Sequence, residues 1–140
     1  MHAQDDRIDI AAEWTRSADR NLQAAVDLLK VKDPSPDIAC FLVQQCVEKY
    51  LKAKLAFDGI EFPKTHSIAA LAGMLPPGVT VSLTSDEKRV LTTYATVTRY
   101  PGNYTPVSLA QAREAVRMAR RVRREMRKVL PREAIRRRRE

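Results

Sequence analysis

The chain has 140 residues, the length of one ordinary domain, and its hydrophobic content of 44% is sufficient for a single packed core. No run of about eighteen apolar residues occurs, and the N-terminal stretch lacks the basic and apolar regions of a signal peptide. These features argue against a second domain, a membrane-spanning helix and a secreted protein. We therefore expect a soluble cytoplasmic protein that makes no membrane contact.

The net charge of +8 is concentrated near the C-terminus. Residues 113–140 contain 13 arginines or lysines and 4 glutamates, whereas residues 1–112 contain 12 basic and 13 acidic residues. A nearly neutral body with a basic end is typical either of a solvated basic face or of a surface that contacts phosphate groups.

The two cysteines, Cys40 and Cys46, lie six positions apart in one predicted helix, which places them about 240° apart around its axis. They cannot pair with each other, and neither His2 nor His66 lies near them in sequence. We therefore predict two small core residues and no metal or other cofactor.

The first predicted element is a long amphipathic helix over residues 5–31. Its apolar residues recur at spacings of three and four with Trp14 beside them, and Asp5 and Asp6 suit a helix start. Residues 33–37, with two prolines, then end the pattern.

A second helix is predicted to begin after Ser35, because Pro36 is favoured at the first helical position, and to end near Phe57 with Gly59 just beyond. Apolar residues occupy more than half of its circumference. Its polar residues share a band roughly 140° wide, which contains Gln44, Gln45, Glu48, Lys49 and Lys52.

Capping signals predict the next two helices. Thr65 precedes a short third helix, and Thr84 with Glu87 has the capping-box spacing that opens a fourth. The fourth helix should end near Arg99, because Pro101 disfavours the helical conformation in the residue before it.

A fifth helix is predicted to begin near Thr105 or Ser108, the latter with Gln111 three residues later, and to end before Pro131. No convincing strand pattern lies between the helices. The sequence therefore predicts an all-α fold, an antiparallel up-and-down bundle of four to five helices over residues 1–131, followed by a disordered basic tail over residues 132–140.

Four pieces of the sequence, in this order, resemble the HEPN domain family (higher eukaryotes and prokaryotes nucleotide-binding). They are the tryptophan of the first helix, FLVQQCVEKYLKAKL in the second, PKTHSIAAL at the entry to the third, and TRYPG at the end of the fourth. The similarity extends over roughly residues 8–130 and is fairly specific as a combination.

The resemblance implies a four-to-five-helix bundle that is often a homodimer and is frequently encoded beside a minimal nucleotidyltransferase as a toxin and antitoxin pair. Relatives include substrate-binding domains of nucleotidyltransferases. Other members are metal-independent ribonucleases, whose motif is an arginine followed four to six residues later by a histidine.

Arg99 is the arginine of this sequence that matches the resemblance, but no histidine follows it at the required spacing. Cleavage of RNA without a metal needs a base for the 2′-hydroxyl proton, and Tyr104, which stands in that window, is a poor base at neutral pH. We therefore assign no catalytic residue and favour a binding module over an enzyme.

Glu48 is a lone acid in a mostly buried helix, where a carboxylate needs a partner. We expect Arg99 to be that partner, with a solvent-exposed Lys52 as the alternative. In the functional interpretation, the same residues form a nucleotide or phosphate pocket with Lys49, Tyr100 and a stacking Tyr104.

His66 is expected to cap or pack, with a role as a base supplied across a dimer as the alternative.

The basic end could be a solvated face or a phosphate-binding strip for RNA. If about six of its cations neutralise phosphates, the affinity should fall with a log–log salt slope of about −5. The candidate residues of the strip are Arg113, Arg117, Arg120, Arg121, Arg124 and Arg127, with Lys128.

We therefore predict a HEPN-like binding module for nucleotides or nucleic acids, a homodimer, with a minimal nucleotidyltransferase as a possible partner. The alternatives are a toxin-like metal-independent ribonuclease and a non-catalytic dimerisation domain.

Overall fold

The computed structural model describes residues 3–96 and 106–136, which contain helices and no strand. This confirms the predicted all-α fold. Within the described ranges the helices are α1 (Ala3–Leu28), α2 (Pro36–Phe57), α3 (Ile68–Gly73), α4 (Ser85–Thr93), α5 (Leu109–Val129) and α6 (Arg132–Ile135).

The helix α2 forms the centre of the bundle and contacts α1, α3, α4 and α5. Its buried residues, including Tyr50, Leu51 and Leu55, occupy most of its circumference and extend into the polar band that the sequence predicted. The helices α1 and α2 are antiparallel, since Lys52 lies over Trp14 while Lys49, earlier in α2, reaches Asn21 in the following turns of α1.

Small residues line the inner faces of the two long helices that pack beside α2. In α1, the fully buried Ala11, Ala18 and Ala25 recur every seven residues. In α5, Ala112 and Ala119 are buried in the same way. Because the distance between packed helices depends on the side chains at the contact, alanine allows these helices to approach α2 closely.

Both predicted capping boxes are present. The Thr84 hydroxyl accepts a hydrogen bond from the backbone of Glu87, whose carboxylate accepts one from the Thr84 N–H. Ser108 and Gln111 do the same at the start of α5. At α3 the cap is Ser67 and not Thr65, because it is the Ser67 hydroxyl that accepts from the first turn of the helix.

The helix α4 is shorter than its sequence pattern predicts, because it ends at Thr93 with Tyr94 as its C-cap. The hydroxyls of Thr92 and Thr93 donate back to carbonyls of the preceding turn. Such β-branched, self-bonding residues are weak helix formers, which favours an early end. The predicted end near Arg99 lies outside the described residues.

The short helix α6 was not predicted, and it lies in the segment assigned to a disordered tail. Ala134 is buried against α1, and the Thr15 hydroxyl donates a hydrogen bond of 2.6 Å to its carbonyl oxygen. Two adjacent apolar residues, Ala134 and Ile135, supply enough buried surface to hold this turn of helix after Pro131. Residues 137–140 lie outside the described part.

Across residues 3–96 and 106–136, no helix combines the length and the apolar character that crossing a bilayer requires.

Replacing Gly59, which follows α2 with φ of +69°, should destabilise the protein. We expect Gly59→Ala to lower the free energy of unfolding by about 1–2 kcal/mol, because a side chain is strained in the left-handed region. The added Cβ would also lie 2.6 Å from the guanidinium carbon of Arg7, a flexible group that can move aside. Urea denaturation measures the change.

Two other glycines serve as controls for this experiment. Gly78, with φ of +85°, has open space around it, so Gly78→Ala reports the backbone strain alone. Gly73 is helical with open space, and Gly73→Ala should raise stability by about 0.5 kcal/mol. An equal effect of all three substitutions would contradict the conformational explanation.

Candidate functional site

Two polar clusters contain six of the residues that the sequence singled out. The first surrounds Glu48, which is only 4% exposed in the middle of α2. Its Oε1 accepts hydrogen bonds from Gln44 Nε2 at 2.9 Å and His66 Nδ1 at 2.8 Å, and its Oε2 accepts one from Lys52 Nζ at 2.7 Å. These three donors satisfy the buried carboxylate.

The balance of these interactions keeps Glu48 ionised. Burial alone would raise its pKa, but the hydrogen bonds from Lys52, Gln44 and His66 outweigh burial and hold the pKa below the ordinary value. An ionised carboxylate only accepts hydrogen bonds, so the Nδ1 of His66 is the donor, on a side chain that is 66% exposed.

Lys52 is buried, contrary to the expectation of a solvent-exposed partner. Its Nζ lies 5.6 Å from the ring centroids of both Trp14 and Phe62, which pack edge to face. The aromatic faces and the Glu48 carboxylate together stabilise the ammonium group away from water. Other helices and the segment before α3 cover this part of the polar band. A helical wheel of α2 alone cannot reveal that they do so.

Lys49 does not join this cluster. Its Nζ donates to Ser17 Oγ at 2.7 Å and to Asn21 Oδ1 at 2.8 Å, both on α1. The structure therefore brings Glu48 and Lys52 together and directs the Lys49 ammonium to other partners.

The remaining members of the predicted pocket are Arg99, Tyr100 and Tyr104, which lie outside the described residues. The ion pair between Glu48 and Arg99 thus stays a prediction, as does the pocket that it would complete.

The second cluster, here called the arginine groove, is an open groove of about 920 Å³ between α1, α5 and the end of α6. Its walls combine basic side chains with the apolar Leu22, Val26 and Ile135. The arginines that line it are Arg16, Arg20, Arg120, Arg123, Arg124, Arg127 and Arg136.

Asp19 is the one acidic residue among the described residues that line the groove. Its Oδ1 accepts from Arg123 Nε at 2.9 Å, its Oδ2 lies 3.8 Å from Arg127 Nη1, and it also accepts a hydrogen bond from the Tyr50 hydroxyl. Burial and the bond to Asp19 raise the pKa of Tyr50. Burial alone would lower the pKa of Arg123, but Asp19 and Tyr50 outweigh it and raise this pKa. Asp19 therefore orients Arg123 by a hydrogen bond and forms a longer ion pair with Arg127.

The other arginines of the groove form no hydrogen bond or ion pair with any residue in the described ranges. Arg20, Arg120, Arg124 and Arg136 are exposed, and Arg16 is half-buried. These five guanidinium groups can therefore bind an anion without first giving up a carboxylate.

The predicted phosphate strip is divided by the structure. Arg120, Arg124 and Arg127 line the groove. Arg117 pairs with Glu114 at 2.5 Å and Arg121 with Glu87 at 2.7 Å, while Arg113 and Lys128 are exposed outside the groove. Arg117, Arg121 and Lys128 follow one another along one side of α5 at spacings of four and seven, next to the face that lines the groove.

Sequence reasoning missed four arginines of the groove. Arg123 is three residues after Arg120 and four before Arg127, so the spacing along α5 could have identified it. Arg16 and Arg20 share one face of α1, but only the packed fold places that face opposite α5. Arg136 was missed because α6 was not predicted.

Cys40 and Cys46 are both buried, as predicted, and burial raises the pKa of the Cys46 thiol. No group of three or more potential metal ligands occurs in the described part of the chain.

Removing the Glu48 carboxylate should destabilise the protein strongly, because Lys52 would keep a buried charge without its partner. We expect Glu48→Ala to lower the free energy of unfolding by about 3 kcal/mol or more. The matched control is Glu114→Ala, which removes an exposed ion pair with Arg117 and should change stability by at most about 1 kcal/mol. Urea denaturation that shows equal losses would contradict the importance of burial.

The same carboxylate should contribute to stability in a pH-dependent way. Since the pKa of Glu48 is lower in the folded chain than its ordinary value of 4.5, the contribution is present above that value and is lost as the pH falls through the depressed pKa. Glu48→Gln should therefore lose less stability than the unaltered protein between about pH 6 and pH 3. Parallel stability curves for the two proteins would contradict this assignment.

Comparisons with known proteins agree with the fold. Residues 11–129 match the model of the HEPN domain. The structure is similar to that of TT1696 from Thermus thermophilus, with a TM-score of 0.71 and 28% identity over 84% of this chain and 96% of that one. It is also similar to ST0689, an archaeal HEPN homologue, with a TM-score of 0.65 and 28% identity over 86% of this chain and 98% of that one.

A search of curated proteins found no match. The resemblance to the HEPN family that the sequence indicates is nevertheless confirmed. The family model matches most of this chain, and the alignment with each of the two similar structures covers nearly the whole of that structure. The chain belongs to the HEPN domain family.

Proposed function

We propose that this HEPN-family chain is a cytoplasmic binding module for nucleotides or nucleic acids, and that the arginine groove holds their phosphate groups. The observation that carries the proposal is the gathering of seven arginines from three parts of the fold around one open groove that contains a single acid among its described residues.

Like charges that share a concave surface repel one another, and an anion in the groove relieves that repulsion. Arginine suits a phosphate ligand, because its planar guanidinium presents paired donors that match two phosphate oxygens. Five of the seven groups are without a carboxylate partner in the described chain, so binding need not break existing ion pairs. Phosphate-bearing ligands fit this chemistry better than neutral ones.

The groove is a better candidate than the pocket built on Glu48. Lys49 and Lys52 already donate to protein groups at 2.7–2.8 Å, so a phosphate would have to displace those partners. The pocket with Arg99, Tyr100 and Tyr104 remains a second proposal, supported by the family resemblance of TRYPG.

Two partners belong to the proposal through the family resemblance. One is a second copy of this chain in a homodimer, and the other is a minimal nucleotidyltransferase that acts with the module as a toxin and antitoxin pair. Size-exclusion chromatography with light scattering tests the first, and co-purification with the product of an adjacent gene tests the second.

Groove substitutions should weaken binding to a fluorescent 20-nucleotide RNA more than matched substitutions elsewhere on α5. We expect Arg120→Gln/Arg124→Gln to lower the affinity roughly tenfold in moderate salt and to reduce the log–log salt slope by about 2, since two phosphate contacts are lost. Fluorescence anisotropy across a salt series measures both quantities.

The control is Arg113→Gln/Arg117→Gln, which removes the same charge from the same helix outside the groove. It should leave the salt slope nearly unchanged. Equal losses in both variants would point to net charge and not to the groove, and the absence of RNA binding at low salt would end the proposal.

The competing enzyme is a metal-independent ribonuclease that acts through Arg99. We expect RNA incubated with the purified protein in EDTA to remain intact, because no histidine follows Arg99 at the motif spacing. Cleavage that disappears in Arg99→Ala would instead establish the enzyme. A dimerisation domain would show neither binding nor cleavage.

A further inference from the structure

We infer that the arginine groove binds the sugar-phosphate backbone of a nucleic acid duplex without reading its bases. This inference rests on the proposed function and specifies the form of nucleic acid that the groove accepts.

The arrangement of the arginines matches a line of phosphates. Arg120, Arg124 and Arg127 lie within roughly 60° of one another around α5 and rise by about 10 Å, the axial length of about three base pairs. On the opposite wall, Arg16 and Arg20 are one turn apart on α1, a rise of about 6 Å. A concave groove with cations on both walls accepts a convex ridge, and the backbone is the convex part of a duplex.

Stacking on bases is not available in the described groove. Its lining contains no aromatic residue there. Trp14 and Phe62 pack on each other beside Lys52, and the fully buried Tyr50 has its hydroxyl on Asp19. Proteins that hold single strands without sequence preference generally stack successive bases on aromatic rings. The favourable interactions must therefore come mainly from phosphate contacts.

The groove offers few uncharged polar side chains for reading base edges or sugar hydroxyls, and both of them, Thr15 and Gln23, already form a hydrogen bond within the protein. The amide of Gln23 donates to Asp27 at 2.9 Å, and the hydroxyl of Thr15 donates to the carbonyl of Ala134. The apolar Leu22, Val26 and Ile135 can contact only the hydrocarbon part of a sugar. Arginine can also read the edge of guanine, but these arginines lie along the two walls that would flank a backbone ridge, where phosphates are the nearest groups, so recognition should depend little on sequence.

A duplex satisfies such a site better than a single strand. It carries one charge per about 1.7 Å of axis, against about 3.4 Å for one strand, so each bound arginine releases more condensed counterion. A single strand finds no aromatic ring to stack on in the described groove, so its affinity for the groove should be lower than that of a duplex.

The test is fluorescence anisotropy of the full chain with DNA, which a ribonuclease activity could not degrade. The probes are two 20-base-pair duplexes of unrelated sequence, their separate strands, ATP and long-chain inorganic polyphosphate. We expect the duplexes to bind at least about tenfold more tightly than their strands, to differ from each other less than about threefold, and to show a salt slope of about −4 to −5 from the five unpaired arginines.

Both walls of the groove should matter. Arg16→Gln/Arg20→Gln on α1 and Arg120→Gln/Arg124→Gln on α5 should each reduce the slope by about 2, whereas Arg113→Gln/Arg117→Gln should not. Circular dichroism confirms that each variant is folded. If only the α5 variant reduced the salt slope, the inference would be overturned, because the backbone would then not lie between the two walls.

The outcomes separate this inference from the proposed function. The preference for a duplex backbone is wrong if strands, ATP or polyphosphate bind more tightly than the duplexes, or if the affinities of the two duplexes differ widely. If the groove variants also weaken the binding that is observed, the phosphate groove itself stands. If neither these probes nor the 20-nucleotide RNA binds at low salt, both proposals fail.

Discussion

The burial of α2 around most of its circumference is the constraint on which the rest of the structure depends. On the sides that face the four neighbouring helices little solvent can hydrate polar side chains, so the buried Glu48 must be satisfied by protein groups. Lys52, Gln44 and His66 supply the hydrogen bonds, and through His66 they fix the segment before α3 against the bundle. Glu48 and Lys52, which look functional in the sequence, therefore have hydrogen-bond partners within the fold, whereas five arginines that line the groove have none among the described residues.

Local signals predicted the fold well where they act within one helix. The bounds of α2 and both capping boxes could be read from Ser35, Pro36 and the caps at Thr84 and Ser108, because these depend only on neighbouring residues. The early end of α4 and the existence of α6 could not be read in this way. The end of α4 depends on weak local preferences. The existence of α6 depends on a contact between residues far apart in sequence, Thr15 with Ala134.

The site was predictable to a smaller extent, for a related reason. A helical wheel groups side chains by angle but does not state which arc another helix covers. It placed Lys52 among exposed residues although Trp14 and Phe62 enclose it. It likewise identified a basic face on α5 but not the side that meets Arg16 and Arg20. The groove is a property of the packed helices, since its two walls come from residues about one hundred positions apart in the chain.

The hydrogen bond from Thr15 to Ala134 has a consequence for the order in which the groove can form. It holds α6 against α1, and α6 brings Ile135 and Arg136 to the groove. Of the groove's elements α1 is synthesised first and α6 last, so a growing chain exposes one basic wall long before the opposing walls exist. A complete groove marks a chain in which α1, α5 and α6 have docked, and ligands that need every wall cannot be held by a partly synthesised protein.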